Sequence, residues 1–139
     1  MGIPDLRPKK CNLCGGDVVF EKVPRYVFES GRRYICTQCG AYVGTYKRHP
    51  KNAMGSLANY TMRELRKACH KLFDKKWTTQ EERNAEYQKL AVKLDIPIEE
   101  CHFGYMDIKQ LTKALEILRS EDPVYRVLHG LDFKNDNNE

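Results

Sequence analysis

Four cysteines near the start of the chain form two matching pairs. The first pair is Cys11 and Cys14, and the second is Cys36 and Cys39. Each pair is a C-x-x-C segment followed directly by glycine, whose backbone freedom allows the tight turn that brings two sulfur atoms to one ion. Two such segments separated by about twenty residues are typical of a four-cysteine zinc site. The spacing therefore predicts one structural zinc ion rather than free or disulfide-bonded cysteines.

Two further cysteines each precede a histidine, in the dipeptides Cys69-His70 and Cys101-His102. A second zinc site built from both dipeptides is one interpretation, because cysteine and histidine are the usual zinc ligands. However, adjacent residues on a helix point about 100° apart, so one dipeptide chelates an ion poorly. The second interpretation is that each of these cysteines is a buried core residue and not a ligand. It is the favoured one, because a buried cysteine behaves as a small hydrophobic residue.

A hydrolytic site is the sharpest hypothesis for an enzyme. It would combine His70 and Asp74, which share a helix face, with His102 and Asp107. The chain has no H-E-x-x-H motif, no nucleophile elbow and no P-loop. A zinc ion held by four cysteines also has no open position for a water molecule. The sequence therefore favours a protein that is not an enzyme, with a metal-dependent nuclease as an alternative.

Positive charge is concentrated in one half of the chain. The 139 residues carry a formal net charge of +5. Residues 1–76 contain sixteen basic and six acidic side chains, whereas residues 77–139 contain eight basic and thirteen acidic ones. Such asymmetry suggests a surface for a polyanion, most often a nucleic acid.

The candidate nucleic-acid surface combines three basic segments. A hairpin tip at Gly31 would place two arginines on a projecting loop, the strand that leaves the second cysteine pair would deliver a basic connector, and the first helix would turn its basic face outward. Tyr42 or Tyr46 could stack on unpaired bases. The predicted contacts are Arg32, Arg33, Tyr46, Lys47, Arg48, Lys51, Arg63 and Lys67.

Short strands are expected to position the cysteines. Residues 17–23 and 25–29 are rich in β-branched and aromatic residues and predict two strands. Residues 33–36 then lead into the second cysteine pair. Residues 41–46 predict the strand that leaves it. This layout is that of a zinc ribbon over residues 1–50, in which the metal supplies much of the folding free energy.

Helices are expected to follow the ribbon. Residues 51–58 predict a connector, residues 59–130 a domain of three or four helices, and residues 131–139 a disordered tail. Capping boxes are predicted within residues 61–64 and 78–82, and aspartate N-caps at Asp107 and Asp122. The predicted fold class is therefore α+β, with an N-terminal four-cysteine zinc ribbon and a small antiparallel sheet.

The chain resembles a known family across most of its length. The segments that carry the resemblance are CNLCGG, YICTQCGAYVGTYKRHPKNAMGSLAN, LRKACHKLFDKKW and LDIPIEECHFGYMDIKQLTKAL, within residues 11–118. They are similar to the zinc-finger-containing domain family of small phage and bacterial proteins. The resemblance implies a zinc-binding ribbon followed by helices, with the four paired cysteines as ligands and no catalytic residue.

The function that the sequence favours is that of a nucleic-acid-binding accessory protein with one structural zinc, of phage or bacterial origin. The alternative is a protein–protein adaptor or inhibitor that engages a host machine through the helical half. The chain has no long apolar run and no signal peptide, so we expect a cytoplasmic protein with no membrane partner. Reduced thiols in that compartment also favour metal binding over disulfides.

Overall fold

The computed structural model describes residues 3–130. Contacts within the chain divide these residues into two compact units. The first unit comprises residues 3–64 and 104–106, and the second comprises residues 65–103 and 107–130. The first unit contains the residues predicted to form the ribbon and the connector, so the four paired cysteines lie in it.

An antiparallel three-stranded sheet is the framework of the first unit. Its strands are β1 (Val18–Lys22), β2 (Arg32–Cys36) and β3 (Tyr42–Gly44), in the order β1-β2-β3. β1 and β2 pair from Val18 opposite Cys36 to Lys22 opposite Arg32. The outer edge of β3 is covered by bridges to the connector. The core beneath the sheet contains Cys11, Tyr34, Cys36, Ala41, Val43, Ala53 and Leu57.

Residues 25–29 form a turn, so the strand predicted there is wrong. The carbonyl of Pro24 accepts hydrogen bonds from the N–H groups of Val27 and Phe28, which closes the turn. The Phe28 ring packs so closely on Gly44 that a Cβ at Gly44 would overlap it. Apolar residues in this segment therefore serve packing against the sheet rather than strand pairing. Because the turn ends before β2, Arg32 and Arg33 lie in the strand and not on a projecting loop.

Four α-helices follow the sheet within the described residues. They are α1 (Tyr60–Phe73), α2 (Gln80–Leu94), α3 (Ile108–Glu121) and α4 (Pro123–Leu128). The three-strand sheet near four cysteines, followed by these helices, confirms the predicted α+β class. The predicted disordered tail at residues 131–139 lies outside the described residues.

Helix caps follow local side-chain chemistry. The Thr79–Glu82 capping box at the start of α2 and the Asp107 cap of α3 are confirmed. The capping box predicted from Thr61 is wrong, because α1 begins at Tyr60. There the side chain of Asn59 accepts the Met62 N–H at 2.9 Å, so asparagine takes the capping role two residues earlier than expected.

Aromatic side chains form the centre of the second unit. The ring of Phe73, at the end of α1, lies 4.3 Å from the Tyr87 ring and 5.5 Å from the Phe103 ring, measured between centroids. Phe73 and Phe103 are each 1% exposed. Leucines of α2 and α3 complete this core, so the apolar faces of both helices point inward as their spacing predicts.

Candidate metal centre

The two cysteine pairs lie in turns of the same geometry. In the first turn Gly15 donates its N–H to the carbonyl of Cys11, and in the second Gly40 donates to the carbonyl of Cys36. Both glycines have a φ near +78°, at 77° and 78°. Only glycine adopts this left-handed conformation readily, so the glycine after each pair is required by the turn itself.

The four sulfur atoms converge on one point. All lie within 4.8 Å of one another, with Cys14 and Cys36 3.4 Å apart and Cys11 and Cys39 3.7 Å apart. Four sulfurs around zinc at bond lengths of about 2.3 Å stand roughly 3.8 Å apart in a tetrahedron. Cys11, Cys14, Cys36 and Cys39 therefore fit one structural zinc ion.

Backbone N–H groups donate hydrogen bonds to the sulfur atoms of Cys11, Cys14 and Cys36. Cys11 Sγ accepts from Leu13, and Cys14 Sγ accepts from Gly16, each at 3.3 Å. Cys36 Sγ accepts two such bonds at 3.4 Å, from the N–H groups of Cys39 and Gln38. The Cys39 N–H is the main cause that lowers the pKa of Cys36 to about 6, since a hydrogen bond to the charged form favours it.

The donor set decides what this centre can do. A zinc ion bound by four thiolates has a complete tetrahedral shell, so it has no position at which to bind or activate water. Cys11 and Cys36 are buried in the core of the first unit, so the metal ties both turns to the sheet. A centre of this composition supplies folding free energy rather than catalysis.

Comparison with known proteins agrees with this geometry. A family model described as a zinc-finger-containing domain matches residues 7–121. The chain belongs to the zinc-finger-containing domain family. The resemblance noted in the sequence is thereby confirmed, and the match extends over both units. No curated protein and no solved structure matches the chain.

The other candidate ligands that the structure describes do not join a metal cluster. Within residues 3–130, the four paired cysteines are the only group of three or more potential ligands brought together. Cys69 Sγ lies 3.7 Å from the Leu111 carbonyl oxygen, and Cys101 Sγ lies 3.5 Å from that of Tyr87. Burial raises the pKa of Cys69 to about 12 and that of Cys101 to about 11, so both stay protonated.

The histidines beside these cysteines contact aromatic rings. The His70 ring lies edge-on to Phe103 at 4.8 Å, and the His102 ring lies 5.8 Å from that of Tyr87. The described residues thus do not unite His70, Asp74, His102 and Asp107 in one metal cluster.

None of the helices in the described part of the chain has the length and apolar character needed to cross a membrane.

Two of the predicted nucleic-acid contacts are engaged within the first unit. Arg33 forms an ion pair with Glu21 at 2.6 Å, directly across the β1–β2 pair. Arg63 donates to the Ala58 carbonyl at 2.7 Å. Both guanidinium groups lie over the Tyr42 ring, with Cζ 5.0 Å and 4.1 Å from its centre. Tyr42 is therefore already covered by cations, which leaves Tyr46 as the more accessible ring.

The remaining predicted contacts differ in exposure. Arg32 is half-buried and donates to the carbonyl of Gly31. Lys67 is exposed on the part of α1 that belongs to the second unit. Tyr46 is 40% exposed, and the side chains of Lys47, Arg48 and Lys51 that follow it are also exposed.

Two side-chain interactions of the first unit were not predicted from the sequence. The side chain of Asn12, between the first two cysteines, is hydrogen-bonded to Leu57, and no sequence pattern links positions so far apart. The Glu21–Arg33 pair, in contrast, follows from strand register, because opposite charges commonly face each other across paired strands.

Proposed function

We propose that the protein binds nucleic acid through a basic loop, residues 46–52, held in place by the zinc-bound ribbon. The observation that carries the proposal is that the cations of this loop are exposed and are not paired with carboxylates. Lys47, Arg48 and Lys51 are exposed, and within residues 3–130 none has a carboxylate at ion-pair distance. Unneutralised cations on one loop are suited to phosphate contacts.

The backbone of the loop supports a fixed presentation of these charges. Its ends are joined by a hydrogen bond from the Tyr46 N–H to the Asn52 carbonyl at 3.1 Å. The Asn52 N–H donates to the backbone carbonyl of His49 at 2.8 Å. The hydroxyl of Tyr34, a residue of the ribbon core, donates to the Lys51 carbonyl at 2.6 Å. An ordered loop loses less conformational entropy on binding than a mobile one.

The expected binding mode is electrostatic. Contacts to phosphates release counterions, so affinity should fall steeply as salt rises. No element between residues 3 and 130 offers a base-reading pattern, so weak sequence preference is expected. Stacking of an unpaired base on Tyr46 would add roughly 1–3 kcal/mol and favour single strands. In this role the protein works in the cytoplasm, where its cysteines remain reduced.

The test is a binding titration with duplex and single-stranded DNA and RNA at two salt concentrations. The double variant Lys47→Glu/Arg48→Glu should weaken binding to every sequence. The matched control is Lys109→Glu/Lys113→Glu, which makes the same charge change on exposed positions of α3. Equal losses in both variants would show that net charge alone matters and would refute a loop-centred interface. Absence of binding by wild type at low salt would reject the function.

A protein–protein adaptor is the second candidate, and one observation favours it. Val124, Val127 and Leu128 in α4 are 58%, 57% and 75% exposed, and their spacing places them on one helix face. Capture of a stoichiometric partner that survives both nuclease and high salt would favour the adaptor. Loss of capture on nuclease treatment would favour nucleic-acid binding.

A further inference from the structure

An open groove lies within the second unit, between α2 and the segment 98–102. Its volume is about 230 Å³. No aspartate or glutamate lines it, although the second half of the chain is acidic overall. The residues that line it are Arg83, Asn84, Tyr87, Gln88, Ile98, Cys101 and His102.

Arg83 is fixed in the wall of this groove by two aromatic rings. Its Cζ lies 4.9 Å from the centre of the Tyr87 ring and 5.6 Å from that of Trp77. Trp77 is held in turn by its Nε1–H, which donates to Asp74 at 3.1 Å. The guanidinium is therefore positioned before any ligand arrives, which reduces the entropy lost on binding.

The positive charge of Arg83 is not neutralised by an ion pair. Across residues 3–130, no carboxylate lies at ion-pair distance from its guanidinium. The nearby Asp74 carboxylate instead accepts from the Trp77 indole. A guanidinium presents planar, paired N–H donors that match the oxygens of phosphate or carboxylate.

Carboxamide groups extend the donor surface beside Arg83. The Asn84 carbonyl oxygen accepts from Gln80 at 2.9 Å, which leaves the Asn84 amino group to donate. Gln88 is exposed one helical turn further along α2. Ile98, which is 43% exposed, and the buried Cys101 give the groove an apolar side. The groove thus combines one cation and amide donors with a small apolar surface.

We propose that this groove binds a small organic oxyanion, in which a phosphate or carboxylate contacts Arg83 and an apolar body contacts Ile98. The volume is below the roughly 300 Å³ at which small-molecule pockets usually begin, so the ligand is a compact one. The residues that line the groove belong to the second unit, whereas the basic loop that carries the proposed nucleic-acid function belongs to the first.

The first experiment compares four probes by calorimetry on the full zinc-loaded chain. The probes are phenyl phosphate, benzoate, inorganic phosphate and phenol. Binding of phenyl phosphate or benzoate, whichever is tighter, identifies the oxyanion, and weaker binding of inorganic phosphate shows the contribution of the apolar body. No binding by either aromatic anion, or equally strong binding of phenol, overturns the proposal.

Three variants of equal net charge locate the site. Arg83→Gln removes the guanidinium, and Gln88→Glu introduces a carboxylate at an exposed position of the groove. Each should weaken binding about tenfold or more, since hydrogen bonds to charged groups are the stronger ones. Lys109→Gln, on the exposed face of α3, is the control and should stay within about twofold of wild type. If all three variants bind alike while circular dichroism shows them folded, the groove is not the site.

Discussion

Asn12 and Leu57 exchange two hydrogen bonds across 45 positions of sequence. The Asn12 amino group donates to the Leu57 carbonyl at 3.0 Å, and the Leu57 N–H donates to the Asn12 side-chain oxygen at 2.9 Å. Leu57 is fully buried. The first metal-binding turn therefore holds the connector that leads into α1, so the metal orders more of the first unit than the two turns alone.

Replacing Asn12 with alanine should destabilise the first unit without removing zinc. The change leaves the N–H and carbonyl of buried Leu57 without partners, which costs about 1–3 kcal/mol. Denaturant titration should show this loss, and hydrogen exchange should show faster exchange of the Leu57 amide. Asn12→Asp keeps the acceptor for the Leu57 N–H and should protect that amide better than Asn12→Ala does. Equal exchange rates of the Leu57 amide in wild type and Asn12→Ala would contradict a stabilising role for the Asn12–Leu57 hydrogen bonds.

Metal analysis should find one zinc per chain, and Cys36→Ser should lose it. Cys36 is 2% exposed and belongs to both the metal site and the core, so its removal should unfold the sheet. The reason is that the free energy of zinc binding is also free energy of folding. Mass spectrometry under non-denaturing conditions reads the metal, and chelation of the wild type should reproduce the variant. A Cys36→Ser protein with unchanged zinc and stability would disprove the assignment.

Cys69→Ala and Cys101→Ala should each retain one zinc. Both side chains are buried in the second unit, at 0% and 1% exposure. Their truncation leaves small cavities and should lower the free energy of unfolding by about 1–2 kcal/mol. Measurement of the zinc content tests whether the metal is retained, and chemical denaturation tests the loss of stability. A fall in zinc content in either variant would reveal a second ligand set.

The capping box of α2 should make stability depend on acidic pH. Hydrogen bonds from the side chain and backbone of Thr78, and from Thr79, lower the pKa of Glu82 from 4.5 to about 2. Because the folded state has the lower pKa, the stabilisation is complete above pH 4.5 and is lost as pH falls toward 2. NMR titration of Glu82 and denaturation at pH 7 and pH 3 measure it.

The control for this effect is a neutral replacement. Glu82→Gln can still cap the helix but does not titrate, so it should lose less stability between pH 4.5 and 2 than wild type does. Glu81→Gln, one residue earlier in the same turn, should behave as wild type. If the measured pKa of Glu82 were that of an ordinary glutamate, the result would contradict the hydrogen bonds described for this side chain.

The parts of the fold that depend on short sequence patterns could be predicted. The turns that contain Cys11 and Cys36, and the caps at Thr79 and Asp107, use contacts within a few residues, so their spacing alone identifies them. The turn at residues 25–29 could not be identified in this way. Its apolar composition resembles a strand, and only the close approach of Phe28 to Gly44 decides where those side chains pack.

The candidate surfaces depend more strongly on distant contacts. Basic residues predicted the exposed loop that contains Lys47 and Arg48, since a turn rich in charge remains at the surface. Arg33 has the same residue type, but Glu21 on the neighbouring strand neutralises it. The Arg83 groove requires Trp77, α2 and the segment 98–102 together, and a linear pattern does not show which side chains will share a cavity.

Residues 104–106 belong to the first unit although both neighbouring stretches of chain belong to the second. The carbonyl of Gly104 accepts the Ser56 N–H at 2.9 Å, and Met106 is completely buried. Neither unit is thus a single uninterrupted piece of polypeptide. A fragment ending at residue 64 would lack residues 104–106 of the first unit. A protease cut within α2 would leave each unit assembled from two peptides. Gene truncations that stop at the connector should therefore yield poorly folded products even when zinc is supplied.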